Sequence, residues 1–186
     1  MFRFRSVVPA LGVLAVTLVA SAGTYQLKAD AASSITFKAK ATIGLGIPGK
    51  FSGLKVVDDG TTITLSVPAN TVDTGIERRD IHAKKTLGVG KKGDTISVAV
   101  PKKELKVPAD GKSDGAKVTA QVTINGQTKP VRLSYVATRT GSTYAVKGDL
   151  KLENVWANFG MEQPEMAGVT VKPEIELFTS FSIKEN

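Results

Sequence analysis

From Ser34 to Ile43 apolar and polar side chains alternate without a break, with Ile35, Phe37, Ala39, Ala41 and Ile43 on one side and Thr36, Lys38, Lys40 and Thr42 on the other. A period of two is the signature of a β-strand with one dry and one wet face. The same period returns in Ile63, Leu65 and Val67, in Ile96, Val98 and Val100, in Val118, Ala120, Val122 and Ile124, and in Val131, Leu133 and Tyr135. Longer runs from Tyr144 to Leu152 and from Glu174 to Ile183 complete a set of about eight predicted strands. Asn125-Gly126 lies between two such runs, and both residues tolerate the positive φ of a two-residue hairpin turn. Asp59-Gly60 and Thr140-Gly141 mark further hairpins. Hairpin spacing predicts a largely antiparallel all-β domain, closed into a barrel or curled into a sandwich. The stretch from Pro101 to Lys117 reads as a strand exit followed by a polar loop.

Two segments break the alternation. Thr74-Gly75-Ile76-Glu77 fits a capping box and Gly88 a helix stop, which predicts a helix of about 13 residues with Ile76, Ala83 and Leu87 on one stripe, interrupted by Asp80. The other break, Asn154 to Gly168, holds Trp156, Phe159, Met161 and Met166. Side chains this large in a loop either build a satellite core beneath it or form an adaptable lid that meets a ligand.

The N-terminus follows different rules. A basic start containing Arg3 and Arg5, an apolar run from Val7 to Ala20 and the small-x-small triplet Ala20-Ser21-Ala22 predict an export signal over residues 1–22, with a single domain over 23–186. The apolar run falls short of the ~20 residues a membrane-spanning helix needs. Of the formal charge of +8 over 186 residues, two units belong to that signal, leaving +6 on the domain. Arg78, Arg79, Lys84, Lys85, Lys91 and Lys92 gather around the predicted helix, as a solvated face or as a patch steering towards anionic lipid headgroups or a prenyl diphosphate. Nucleic acid is a poor partner for an exported chain whose basic patch has no interleaved aromatics.

Reactive chemistry is sparse. There is no cysteine and one histidine, His82, so thiol chemistry and cysteine-ligated metal sites are excluded, and no metal ligand set stands out. A hydrolase would have to use His82, with Asp80 to orient it, and no nucleophile elbow accompanies any serine. Arg79 and Asp80 also suit a structural ion pair. Gly44-Leu45-Gly46-Ile47-Pro48-Gly49 satisfies a dinucleotide-binding pattern literally, but Pro48 and the β context deny it the helix that would bind a phosphate.

Several segments, taken in order, resemble the YceI-like family. Thr74 to His82 is similar to its T-G-x-x-x-R-D-x-H segment, Val122 to Val131 to its L-T-I-x-G-x-T-K-P-V strand-turn-strand, and Asn158-Phe159-Gly160-Met161 to its D-F-G-I loop. Tyr25, Ile35-Thr36-Phe37, Gly49 to Gly53 and the closing stretch Val169 to Ile183 fall in the same order. Histidines common in relatives are replaced around Ala32-Ser33-Ser34 and Lys40-Ala41-Thr42, and a phenylalanine pair by Thr86-Leu87-Gly88-Val89-Gly90.

The resemblance implies an extended antiparallel lipocalin-like barrel with one short helix near its mouth, located in the periplasm or secreted. Its implied role is non-catalytic: holding an apolar lipid such as an isoprenoid quinone or prenyl lipid as ligand, with no cofactor. Placed on that barrel, Phe37, Ala39, Ile63, Leu65, Val98, Val122, Leu133, Leu150 and Phe181 are the expected cavity lining, and Trp156, Phe159, Met161, Arg79 and His82 the expected mouth. A slip of one residue turns any of these strands inside out. The other reading is an envelope interaction module with a filled barrel and a basic docking surface. Contact with an anionic membrane and assembly as a homodimer are left open.

Overall fold

The computed structural model describes residues 24–28, 33–166 and 168–186. The expected export segment, 1–22, lies outside the described residues. Fourteen elements follow in order: β1 (Tyr25–Leu27), β2 (Ser34–Lys40), β3 (Gly46–Phe51), β4 (Lys55–Asp58), β5 (Thr62–Pro68), α1 (Glu77–Leu87), β6 (Thr95–Pro101), β7 (Ser113–Ile124), β8 (Gln127–Thr140), β9 (Thr143–Leu152), α2 (Val155–Asn158), β10 (Glu165–Met166), β11 (Val169–Thr170) and β12 (Ile175–Glu185).

Ten strands form one antiparallel sheet in the order β3-β2-β12-β9-β8-β7-β6-β5-β4, with β1 added to the far end of β12, while β10 and β11 make a separate small hairpin. The sheet curls into a half-barrel whose free edges are stitched at two places. Lys50 of β3 exchanges backbone hydrogen bonds of 2.8 and 3.0 Å with Asp73, and the Tyr25 amide of β1 donates to the Asp58 carboxylate of β4 at 2.9 Å.

The alternation holds where it was clearest. Ile63 and Val67 on β5, Ile96 and Val100 on β6, and Val118, Ala120, Val122 and Ile124 on β7 are all buried on the inner face. At Asn125-Gly126 the two φ angles are 49° and 70°, and Ile124 faces Gln127 directly, the two-residue turn expected of this pair. The strands outside the predicted runs are short: β1, β3, β4, β10 and β11 have 3, 6, 4, 2 and 2 residues, and β3 carries Gly46, Pro48 and Gly49, residue types disfavoured inside strands. Likewise Ser113 to Lys117, expected to be loop, belong to β7 and pair with β8.

The helix differs at its start. It begins at Glu77 with Ile76 as the capping residue, and no side chain caps it. The Thr74 hydroxyl, expected to serve the Glu77 amide, donates instead to the Asp80 carboxylate at 2.6 Å, which also takes the Thr74 amide at 2.7 Å. Position decides this: the helix is capped at Ile76, two residues beyond Thr74, so the threonine is not at the place from which a side chain serves the first-turn amides. Gly88 ends α1 as expected, in the left-handed region at φ 75°. No residue of α1 is fully buried, and Ile76 is exposed, so the expected apolar stripe is weak.

Candidate ligand cavity

Side chains that alternate inward around a half-barrel leave an axial space wherever opposing residues are not large enough to meet. Here that space is a cavity of about 170 Å³ running through the middle of the domain. Aliphatic and aromatic groups make most of its wall, among them Ile63, Leu65, Val98, Leu133, Leu150 and Phe181. Six of the nine residues expected to line it are therefore brought together. Its volume lies below the roughly 300–1,000 Å³ typical of sites for drug-sized ligands. A slim chain fits it better than a compact ring system.

The other three expected liners are inward but spent elsewhere. Phe37 stands opposite Gly49 and lays its ring over the space a Cβ would occupy there, 2.2 Å from the ideal position, while packing on Phe51 at 5.4 Å between ring centroids. Ala39 and Val122 are buried and do not reach the cavity.

None of the expected mouth residues lines the cavity. Phe159 and Met161 are buried in the main core with Val155, and Trp156 packs against the same cluster. Trp156 Nε1 donates to the Val171 carbonyl at 3.1 Å, and the Asn125 amide holds the loop through the Phe159 and Gly160 carbonyls, both at 3.2 Å. This loop is a plug: its large side chains join the main core itself and form neither a satellite core nor a lid over the ligand. Arg79 and Asp80 do not pair with each other among the described residues. Arg79 donates to the Thr74 carbonyl at 2.7 Å and Asp80 accepts from the Thr74 amide and hydroxyl, so both fasten the turn before α1. His82 is exposed on α1, and no α1 residue contributes to the cavity wall, so the basic patch does not reach into it.

The opposite end holds features the alternation did not reveal. β6 and β7 pair only over Ser97–Ala99 and Gln121–Thr123, after which they splay apart. The gap is covered by a strap, Leu105 to Pro108, which forms part of the cavity wall. Inside, the Tyr135 hydroxyl accepts the Lys106 amide at 2.5 Å and lies 3.4 Å from the Lys106 carbonyl. Burial pushes the Tyr135 phenol up. Outside, the Thr119 amide reaches the Glu104 carboxylate at 3.3 Å.

At the same end, Tyr25 and Tyr144 meet edge to face at 5.4 Å. Tyr144 donates to Glu185 at 2.7 Å, and burial followed by that carboxylate pushes its phenol up. Asp58 accepts from Lys102 Nζ at 2.8 Å and from the Gly60 and Tyr25 amides. Burial alone raises the Asp58 carboxyl, but the Lys102 ammonium and the two amides outweigh it and hold it below the usual carboxylate range. A polar tyrosine inside an alternating run, as in Val131, Leu133 and Tyr135, is a sequence signal for the contact with the strap.

Comparison with known proteins agrees with this architecture. Residues 25–183 match a family profile described as YceI-like domain. Among solved structures, a polyisoprenoid binding domain from Saccharophagus degradans implicated in plant cell wall breakdown superposes with a TM-score of 0.73 at 18% identity, over 88% of this chain and 99% of that one. BcnA of Burkholderia cenocepacia gives 0.59 at 16% identity, over 81% and 95%. The YCEI protein of Campylobacter jejuni gives 0.53 at 15% identity, over 75% and 85%. At these identities the likeness concerns the fold. No match was found among the curated proteins.

Proposed function

Because the chain belongs to the YceI-like family, we propose that it is a non-catalytic carrier holding the isoprenoid chain of a lipid inside the half-barrel. The observation that carries this reading is the elongated cavity of about 170 Å³ with its almost wholly apolar wall. Each methylene moved there from water contributes roughly 0.8 kcal/mol, so a long tail is held without a dense set of polar contacts. The description of the Saccharophagus degradans domain as polyisoprenoid binding supports the same ligand class. A barrel filled by its own side chains would have left no such space.

The apolar run over Val7 to Ala20 supports export, and with it a periplasmic working place where a water-insoluble lipid has to cross between membranes. A carrier at such a place needs no covalent step.

Organic extraction of the purified full chain followed by mass spectrometry tests the proposal. A prenyl lipid at close to one per chain is expected, or uptake of added isoprenoid by the emptied protein. An empty extract together with no uptake sinks it.

A further inference from the structure

Leu87 of α1 packs against the main core. By helical spacing Arg78, Ile81, His82 and Lys85 fall on the opposite side of the helix, and all four are exposed. Ile81 is 59% exposed, with Arg78 three residues before it and Lys85 four residues after it, the spacing at which helix side chains are neighbours. From Glu77 to Asp94 the chain carries six cations and three carboxylates. Two of those carboxylates are turned back to the chain: Asp80 accepts from the Thr74 amide and hydroxyl, and Asp94 accepts the Gly90 amide at 2.7 Å. Arg78, Lys84, Lys85, Lys91 and Lys92 have no ion-pair partner among the described residues. The Lys91 and Gly93 amides both donate to the Gly88 carbonyl at 3.0 Å, a tight turn that keeps Lys91 and Lys92 beside the end of the helix.

The fold accounts for only part of this arrangement. Lys84 and Lys85 stand in the last turn, where a positive charge suits the helix dipole, but Arg78 stands in the first turn, where it opposes the dipole. Nothing in the domain covers Ile81. An uncovered apolar side chain framed by unpaired cations is the pattern of a helix that lies on an anionic bilayer, the cations on the headgroups and the apolar group at the acyl boundary. A protein partner would call for a broader apolar or aromatic centre, and this side of α1 offers one isoleucine and no aromatic ring.

We propose that the outer side of α1, with Ile81 at its centre and Arg78, Lys85, Lys91 and Lys92 around it, docks the protein on an anionic lipid bilayer. No α1 residue lines the cavity, so this surface is separate from the site of the carrier reading and does not depend on it.

The test is binding of the full chain to vesicles of phosphatidylcholine, alone or with about one third phosphatidylglycerol. The wild type is expected to bind the anionic vesicles at least about tenfold more tightly, with the difference shrinking at high salt. Arg78→Glu combined with Lys85→Glu is expected to lose this preference. Lys112→Glu combined with Lys117→Glu, the same change of charge placed away from α1, is expected to keep it to within about twofold. Residues 1–22 are common to all these chains, so their contribution cancels in the comparison. The chain has no cysteine, so a polarity-sensitive dye can be attached at a single place. On anionic vesicles the dye on Ile81→Cys is expected to shift to the blue, while the dye on Val136→Cys, on the exposed side of β8, is not. Equal losses in the two double variants, an unshifted dye at position 81, or binding to neither kind of vesicle overturns the inference, the last leaving an acidic protein as the occupant of this face. Uptake of isoprenoid from detergent solution is expected to be the same in Arg78→Glu/Lys85→Glu as in the wild type, so a failure of uptake sinks the carrier reading alone.

Discussion

Lys102 Nζ lies 2.8 Å from Asp58 Oδ2, and the two side chains are only 9% and 1% exposed. This pair fastens the turn after β6 to the end of β4, and through the Tyr25 amide it also fastens β1. Lys102 extends over the Tyr25 ring at 5.0 Å to its centroid, so the ammonium is covered on one side by an aromatic face. The free edge of the half-barrel is therefore held by a buried charge network where a backbone ladder is absent.

Removing one partner leaves the other charge buried and unmatched. Lys102→Ala is expected to destabilise the fold by about 3–5 kcal/mol, read by chemical denaturation. A loss below 1 kcal/mol would mean that the edge is held by apolar packing alone.

The same pair sets a pH dependence. The Asp58 carboxyl is held below its ordinary range when folded, so its contribution is fully present above the unfolded carboxylate value of about 4 and is lost as the pH falls through the lowered folded value. The stability gap between wild type and Asp58→Asn is expected to be constant from neutral pH down to about 4 and to narrow below it. A gap that stays the same down to pH 2 contradicts this assignment.

Phe37 and Gly49 make a second coupled pair. The ring occupies the place of the missing side chain, so Gly49→Ala puts a methyl group into it. The expected cost is about 1–3 kcal/mol of overpacking. With Phe37→Leu already present the same substitution is expected to cost much less, because the obstacle is gone. Strictly additive losses in the double variant would show that the ring does not press on Gly49.

How much of this was legible in the sequence depends on how local the signal is. Period-two alternation is a property of a strand itself, so β2, β5, β6 and β12, the central part of β7 and β8, and the Asn125-Gly126 turn could be read directly. Leu65, Val98, Leu133 and Leu150 then fell on the cavity wall because their strands cross its middle. Which inward residue is spent on packing is a cross-strand matter. Phe37 is taken up by Gly49 on a neighbouring strand, and nothing along β2 announces it. The strap was hidden for a similar reason. Leu105 to Pro108 has loop composition, and its role as a wall arises only because β6 and β7 part after Ala99. Trp156 and Phe159 were visible as anomalies, but whether large loop residues plug a core or face a ligand is decided by what lies beneath them.

The strap also offers a route into the cavity. Tyr135→Phe deletes the acceptor for the Lys106 amide while keeping the ring in place. Amide exchange at Lys106 is expected to accelerate by about tenfold, in keeping with one lost hydrogen bond. Ligand release is expected to quicken with it, with only a small change in equilibrium affinity. Unchanged exchange and release rates would place the entry path elsewhere.

Filling the cavity separates binding from folding. Leu133 lies on β8 in register with Val118 of β7 and Leu150 of β9, and its side chain meets open space inside the barrel rather than a packed neighbour on every side. Leu133→Trp adds bulk into that space without introducing a charge, and the indole N–H is its only new polar group. If the space exists to hold a chain, the substitution is expected to lower isoprenoid uptake by at least tenfold while changing stability by less than about 2 kcal/mol, since a larger apolar side chain also gains contacts. A core that was already full would respond in the opposite way, with a large loss of stability. Uptake and denaturation measured on the same preparation distinguish the two, and a destabilised Leu133→Trp that still takes up isoprenoid would show that the chain binds outside this cavity.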